Sequence, residues 1–210
     1  MRERFVIACY HKWEERQIMK YPILAGLASA LILGACGSSV EMPEPAYEDI
    51  SAAQSAAGML QERLQARLMS AMQEGGIEEA ITACSEDALV ISAEVSAETG
   101  LEIGRTSLRV RNPANAPDAW ETEQFAVFEE ARASGVNQMA MQYSEVVDEE
   151  GSHVFRWMKP IFLGDFCATC HGTDISPEVQ AAIDAVYADD QATGFEVGDI
   201  RGAFTVRRPL

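Results

Sequence analysis

Residues 139–171 read MAMQYSEVVDEEGSHVFRWMKPIFLGDFCATCH. Two runs in this stretch are strand-like, Met139–Val147 and His153–Phe162, and Asp148-Glu149-Glu150-Gly151 between them is a hairpin signal. An antiparallel strand pair is therefore predicted directly ahead of the run Cys167-Ala168-Thr169-Cys170-His171.

Outward from this hairpin the chain becomes helical. From about Ile50 to Gln73 it is rich in Ala, Leu, Met, Gln and Arg, with Met59, Leu60, Leu64, Leu68 and Met72 forming an apolar stripe at helical spacing. Gly75-Gly76 should stop that helix. A second is predicted from about Ile77 to Glu98, closed by Thr99-Gly100. Its residues Ile77, Ile81, Cys84, Ala88, Ile91 and Val95 recur every three or four positions, which puts Cys84 in the middle of the buried face. Leu101–Arg111 reads as a short strand pair and 112–117 as a loop. Asp118 can cap a helix over Ala119–Ala133. Past the Cys-His run, Ser176 caps a helix to about Ala188 with Pro177 in its first turn. Phe195–Val206 offers strands broken around Gly198 and Gly202. Helices first, then a small antiparallel sheet interrupted by helices, define an α+β fold with long N-terminal helices in one domain, 49–210.

The first three dozen residues read differently. Tyr21–Ala35 (YPILAGLASALILGA) is uncharged and apolar, too short for a comfortable membrane span but suited to a signal-peptide core. It ends in Leu33-Gly34-Ala35-Cys36, which resembles the lipobox of bacterial lipoproteins. Residues 1–35 are thus expected to be a signal peptide, Cys36 the lipidated N-terminus, and 36–48 a flexible tether. Residues 1–18 mix acids and bases, unlike an ordinary leader, so translation is expected to start at Met19, and Cys9 and His11 are set aside as site candidates. Residues 1–36 hold five bases and three acids; the remainder, with 11 bases and 30 acids, carries a net charge of −19. Such a surface repels nucleic acid and anionic lipid, and is compatible with a basic or neutral redox partner. It also suits a domain held at a membrane by acyl chains.

Two cysteines separated by two residues and followed by histidine form the attachment pattern for a c-type haem. Cys167 and Cys170 would meet the two vinyl groups of one porphyrin, and His171 would reach its iron. In a chain of this composition such a run is expected by chance on the order of 0.002 times. A zinc site wants four protein ligands, and these three residues lack a second cysteine pair. A thioredoxin-type dithiol needs a strand-to-helix context and gives His171 no role, and a plain structural disulfide is the alternative that stays open. With haem on Cys167 and Cys170, Cys84 is a lone thiol in an exported protein. For the second face of the iron, the residues alone leave Cys84, His153, Met139, Met141 and Met158 open. A thiolate there would give a low reduction potential. Arg105, Arg109, Arg111 and Lys159 could answer the two propionates, Arg105 being the choice among them. The competing expectation for these arginines is a solvated strand face paired with the chain's many acids.

Residues 81–120 (ITACSEDALVISAEVSAETGLEIGRTSLRVRNPANAPDAW), MKPIF before CATCH, and GDIRGAF near the end, taken in that order, resemble one family. It is the family of c-type haem proteins with a PAS-like fold and His/Cys axial ligation, the Tll-like haem domains. The resemblance runs from about Ile50 to the C-terminus. It implies a small antiparallel sheet flanked by helices, one covalent haem c, and an axial pair that falls on His171 and on the Cys84 of ITAC. Members of that family also occur as sensor modules ahead of signalling domains; none is read after Leu210, so direct signalling by this chain is not expected.

The sequence therefore leads to the expectation of a lipid-anchored monohaem cytochrome on the periplasmic side of a membrane, the outer one in preference to the inner, that transfers electrons. Redox or diatomic-gas sensing through a displaceable Cys84 is the alternative. An enzyme is the weakest expectation, because no His, Arg or acid constellation beside the motif suggests peroxide chemistry.

Overall fold

The computed structural model describes residues 42–210. The expected signal peptide, the start at Met19 and the lipid-bearing Cys36 lie outside the described residues.

Helix α1, Tyr47–Thr82, reverses at Gly76, whose φ of 67° and ψ of −143° are not helical. Its two limbs run antiparallel. Arg67 on the first meets Glu79 at 2.8 Å and Asp87 at 2.6 Å on the returning chain, and Arg63 meets Glu98 at 2.7 Å. Only glycine adopts such a backbone freely. At Gly75 a Cβ would lie 2.7 Å from the Cβ of Glu79. The predicted stop at Gly75-Gly76 is thus the turn of one helical hairpin.

The returning limb departs from expectation. Instead of one helix over Ile77–Glu98, a π-helical turn at Ala83–Asp87 interrupts it before α2, Ala88–Thr99. The amide of Ala88 donates to the carbonyl of Ala83, five residues back. One extra residue in a turn shifts the helical phase by about 100°. The buried positions are accordingly Ile81, Ala83, Ala88 and Val95, and Cys84 is accessible rather than mid-core. Gly100, at φ 71°, ends α2 as predicted.

The sheet is four-stranded and antiparallel in the order β1-β4-β3-β2: β1 is Glu102–Thr106, β2 Tyr143–Glu149, β3 Ser152–Phe162 and β4 Ile200–Pro209. The β2–β3 hairpin confirms the reading of its connection, but Met139 sits in a 3-10 turn, Gln138–Ala140, before β2 begins. Asn137 accepts from the Met139 amide there, which suits a turn better than a ladder. The strand pair expected over Leu101–Arg111 is the single strand β1. Its partner is β4, with Ile103 opposite Val206, because the chain bends after Thr106. Ser107 contacts the Arg109 and Arg201 carbonyls at that bend. β4 runs unbroken through Gly202, where a Cβ would lie 2.6 Å from the Thr106 carbonyl oxygen. Glycine there permits close approach and does not end the strand.

One sheet face packs Ile103, Phe155, Trp157, Phe204 and Val206 against Ala53, Ala56, Leu60 and Val95 of the helical hairpin. The other packs Met158 and Ala203 against Phe125 and Phe128 of α3, Ala119–Ala133. Asp118 and Glu121 form a full capping box at the start of α3. Buried Arg156 on β3 ties this end down through Asp118 at 2.6 Å and Glu149 at 2.9 Å. The short helix α4, Ala168–His171, leads into α5, Pro177–Val186, capped by Ser176. Val179 and Ile183 of α5 pack on Ile81 of α1, joined by Tyr187 and Cys170. No described helix is long and apolar enough to cross a membrane.

Replacing Gly76 by alanine forces a β-carbon into a conformation worth roughly 1–3 kcal/mol of strain. Denaturant titration of Gly76→Ala should show a loss of stability in that range, with the Cys-His site unaltered.

Candidate functional site

The run Cys167–His171 folds as one helical turn. The amides of Cys170 and His171 both donate to the Cys167 carbonyl, at 3.2 and 3.1 Å, which brings Cys170 to the turn above Cys167. Gly172 closes it, with its amide on the Ala168 carbonyl at 2.8 Å. A Cβ on Gly172 would fall 2.5 Å from that same oxygen. The segment 192–195 then clasps the turn: the Phe195 amide donates to the His171 carbonyl at 3.0 Å and that of Gly194 to Gly172 at 2.8 Å.

The ring of His171 is held through Nδ1 alone. The Ala192 carbonyl lies 2.7 Å from it and Nε of Arg201 3.1 Å. Nε2 has no protein partner among the described residues. Burial, then the charges of Arg201 and Arg111, push the imidazole pKa down to about 3. The ring is therefore neutral, with a nitrogen lone pair available, as a metal-ligating imidazole must be.

Cys84 faces the same space. Its thiol is open to solvent, yet burial raises its pKa, opposed by the positive charges of Arg105, Arg111 and Arg201. The charges of Cys84, Cys167 and Cys170 act on one another, so the three thiols lie within electrostatic reach. No three His, Cys, Asp or Glu side chains of the described residues gather closely enough to hold a bare metal ion.

The surroundings of Cys84 and His171 are strongly cationic. Arg105 on β1 is depressed by burial, and the groups that oppose this are Cys84 and Tyr187, not a carboxylate. Arg201 on β4 is brought down to about 10 by burial and by Arg111 and Arg105. Arg111 alone has an acid, Asp190, held by two bonds of 3.0 Å and almost fully buried. Arg109 instead lies outside, bonded to the Gln191 carbonyl at 3.1 Å and stacked 4.1 Å over Phe195. The expected solvated strand face paired with acids is thus not what the arginines form. Lys159 donates to the Met139 carbonyl at 3.0 Å.

Cys84, Arg105, Cys167, Cys170 and His171 are therefore brought together. The other candidates are placed differently: Met158 is core beneath α3, Met141 is buried, and Met139 and His153 are exposed. Arg201, Asp190 and the Ala192 carbonyl escaped the reading of the sequence. Arg201 lies within GDIRGAF, whereas nothing in 188–193 (ADDQAT) marks Asp190. A half-buried guanidinium with no carboxylate partner among the described residues, a free imidazole nitrogen and three thiols within electrostatic reach fit an anionic, thiol-reactive porphyrin.

Fold and site together define an α+β domain in which a Cys-x-x-Cys-His turn and a cysteine distant in sequence share cationic surroundings. The chain belongs to the Tll0287-like family, whose model matches residues 44–209. Among solved structures it is similar in fold to the cyanobacterial heme-protein Tll0287. The match has a TM-score of 0.59 and 23% identity, over 79% of this chain and 97% of that one. No curated protein matches it.

In the folded chain His171 titrates near 3, against 6.5 for a free imidazole. Between these values only the unfolded chain takes up the proton. Stability of the cofactor-free chain is thus full above the upper value and falls as pH drops towards the lower. The slope is at most about 1.4 kcal/mol per pH unit. Across that window, wild type should lose more stability than His171→Gln in parallel denaturations.

Proposed function

We propose that this chain is a monohaem c-type cytochrome that transfers electrons, anchored by lipid on the periplasmic side of a membrane, the outer in preference to the inner. The observation that carries the reading is the neutral His171, with Nε2 free, on the same turn that presents Cys167 and Cys170. The two thiols would hold one haem by thioether bonds, and His171 and Cys84 would be its axial ligands. The haem supplies one-electron chemistry when bound.

The remaining residues give the site its character. Arg105 would meet a propionate, since its buried charge has no carboxylate of its own. Two protein ligands on one iron leave no position for a substrate, which suits a carrier. The domain proper would occupy 49–210, behind a signal peptide of 1–35 and a tether of 36–48 starting at the lipidated Cys36. Its redox or signalling partner would be a neutral or basic protein, and nucleic acid is repelled by the acidic surface.

One observation favours sensing as the second reading. Burial raises the pKa of the Cys84 thiol, so its thiolate is held at a cost. Reduction or a diatomic gas could then release it.

Protein made with haem-attachment machinery should retain covalent haem after denaturation, and Cys84→Ser should lose the low-spin thiolate signal in spin resonance. An unchanged signal in the variant rules out Cys84 as ligand. Carbon monoxide should leave the reduced wild type largely unaltered if it carries electrons, and bind rapidly with loss of the thiolate spectrum if it senses. A clickable fatty acid fed to expressing cells should label the full chain and not Cys36→Ser.

A further inference from the structure

We propose that Arg111 and Asp190 are positioning residues that select the metal-binding tautomer of His171 against a competing bond from Arg201. This deepens the haem reading and rests on it.

Two groups of opposite kind meet one nitrogen. With its proton on Nδ1, His171 donates to the Ala192 carbonyl at 2.7 Å and leaves the Nε2 lone pair free. With its proton on Nε2, Nδ1 would accept instead from Nε of Arg201 at 3.1 Å. Only the first form can ligate iron through Nε2. Arg201 is a standing competitor, because Ser107 Oγ fixes its Nη1 at 2.9 Å.

What favours the carbonyl is the way it is held. The amide of Ala192 donates to Asp190 Oδ1 at 2.9 Å. Asp190 in turn takes a two-pronged grip from Arg111, Nε to Oδ1 and Nη2 to Oδ2, both at 3.0 Å. Nη2 of Arg111 also donates to the Cys170 carbonyl at 2.7 Å. The pair therefore fastens the peptide before His171 to the amide of the residue whose carbonyl orients its ring. Both side chains are below a tenth exposed, so solvent does not loosen the grip. Removing the charge on Asp190 frees Arg111 and the Ala192 amide together, which loosens the residue whose carbonyl holds Nδ1, and Arg201 then captures Nδ1.

The test uses the full chain with histidine labelled by nitrogen-15, assigned by His171→Gln. In the haem-free chain, wild type should show the Nδ1–H form of His171. Asp190→Asn should shift the tautomer ratio towards Nε2–H by about tenfold or more. Adding Arg201→Gln to Asp190→Asn should restore Nδ1–H, which a merely structural role for Asp190 would not produce. If Asp190→Asn does not fold by circular dichroism, Arg111→Lys carries the same expectation, since it keeps the charge and loses the fork. In the haem-loaded chain, the Nδ1 proton should exchange with deuterium about tenfold faster in the variant. An Nε2–H form in wild type, or an unchanged ratio and exchange rate in the folded variants, overturns the proposal. Failure of the haem reading shows separately, as wild type without covalent haem, and the tautomer measurement stands without it.

Discussion

The charges of three guanidinium groups, those of Arg105, Arg111 and Arg201, act together on Cys84, and among the described residues a single carboxylate, Asp190, answers one of them. Charges taken out of water without partners are costly, and like charges in a shared space raise the cost further. Arg201 records this in its lowered pKa, for which burial is the first cause and its two neighbours the next. A site built this way calls for negative charge from outside the chain, and two propionates are a complement of the right sign. The rest of the site follows from the same imbalance: the one buried ion pair sits where the backbone around His171 must be immobile, and the unpaired cations sit where a ligand would lie.

The fold assists by dividing its labour between the two faces of the sheet. On one face, Phe125 and Phe128 with the Arg156 network close a conventional core under α3. On the other, the helical hairpin covers β1, β4 and β3 with apolar contact near its open end. The site lies further along that hairpin, where the π turn carries Cys84. Alternation along β1 sends Ile103 and Arg105 to the same side of the sheet. The core residue and the buried cation are thus two steps apart on one strand.

Much of this was legible in the sequence. Helical spacing, the Gly75-Gly76 stop, the Asp118 cap and the β2–β3 hairpin rest on local rules that tertiary contacts did not override. The Cys167–His171 turn was readable because its spacing has one common chemical use. Other features were not readable, for identifiable reasons. A π turn leaves no mark in a periodic apolar pattern, so Cys84 was assigned to the buried face when Ala83 occupies it. Gly202 looked like a breaker because the close approach of Thr106 is a long-range contact. Asp190 resembled any other acid in an acidic chain, and only the path of the backbone after α5 brings it beneath Arg111.

The distance along the chain between Cys84 and the Cys167–His171 turn has its own physical meaning. One proposed ligand belongs to the N-terminal hairpin and the other to a turn that follows the sheet, with β1, α3, β2 and β3 between them. A cofactor fixed to one and coordinated by the other would close a long loop in the unfolded ensemble, as a disulfide does, and remove several kcal/mol of chain entropy there. Unlike a disulfide, this cross-link could be opened by exchanging one axial ligand. The mechanical integrity of the domain would then depend on the state of the iron, and a change of ligation would be felt as a change in how tightly the two halves of the chain are tied.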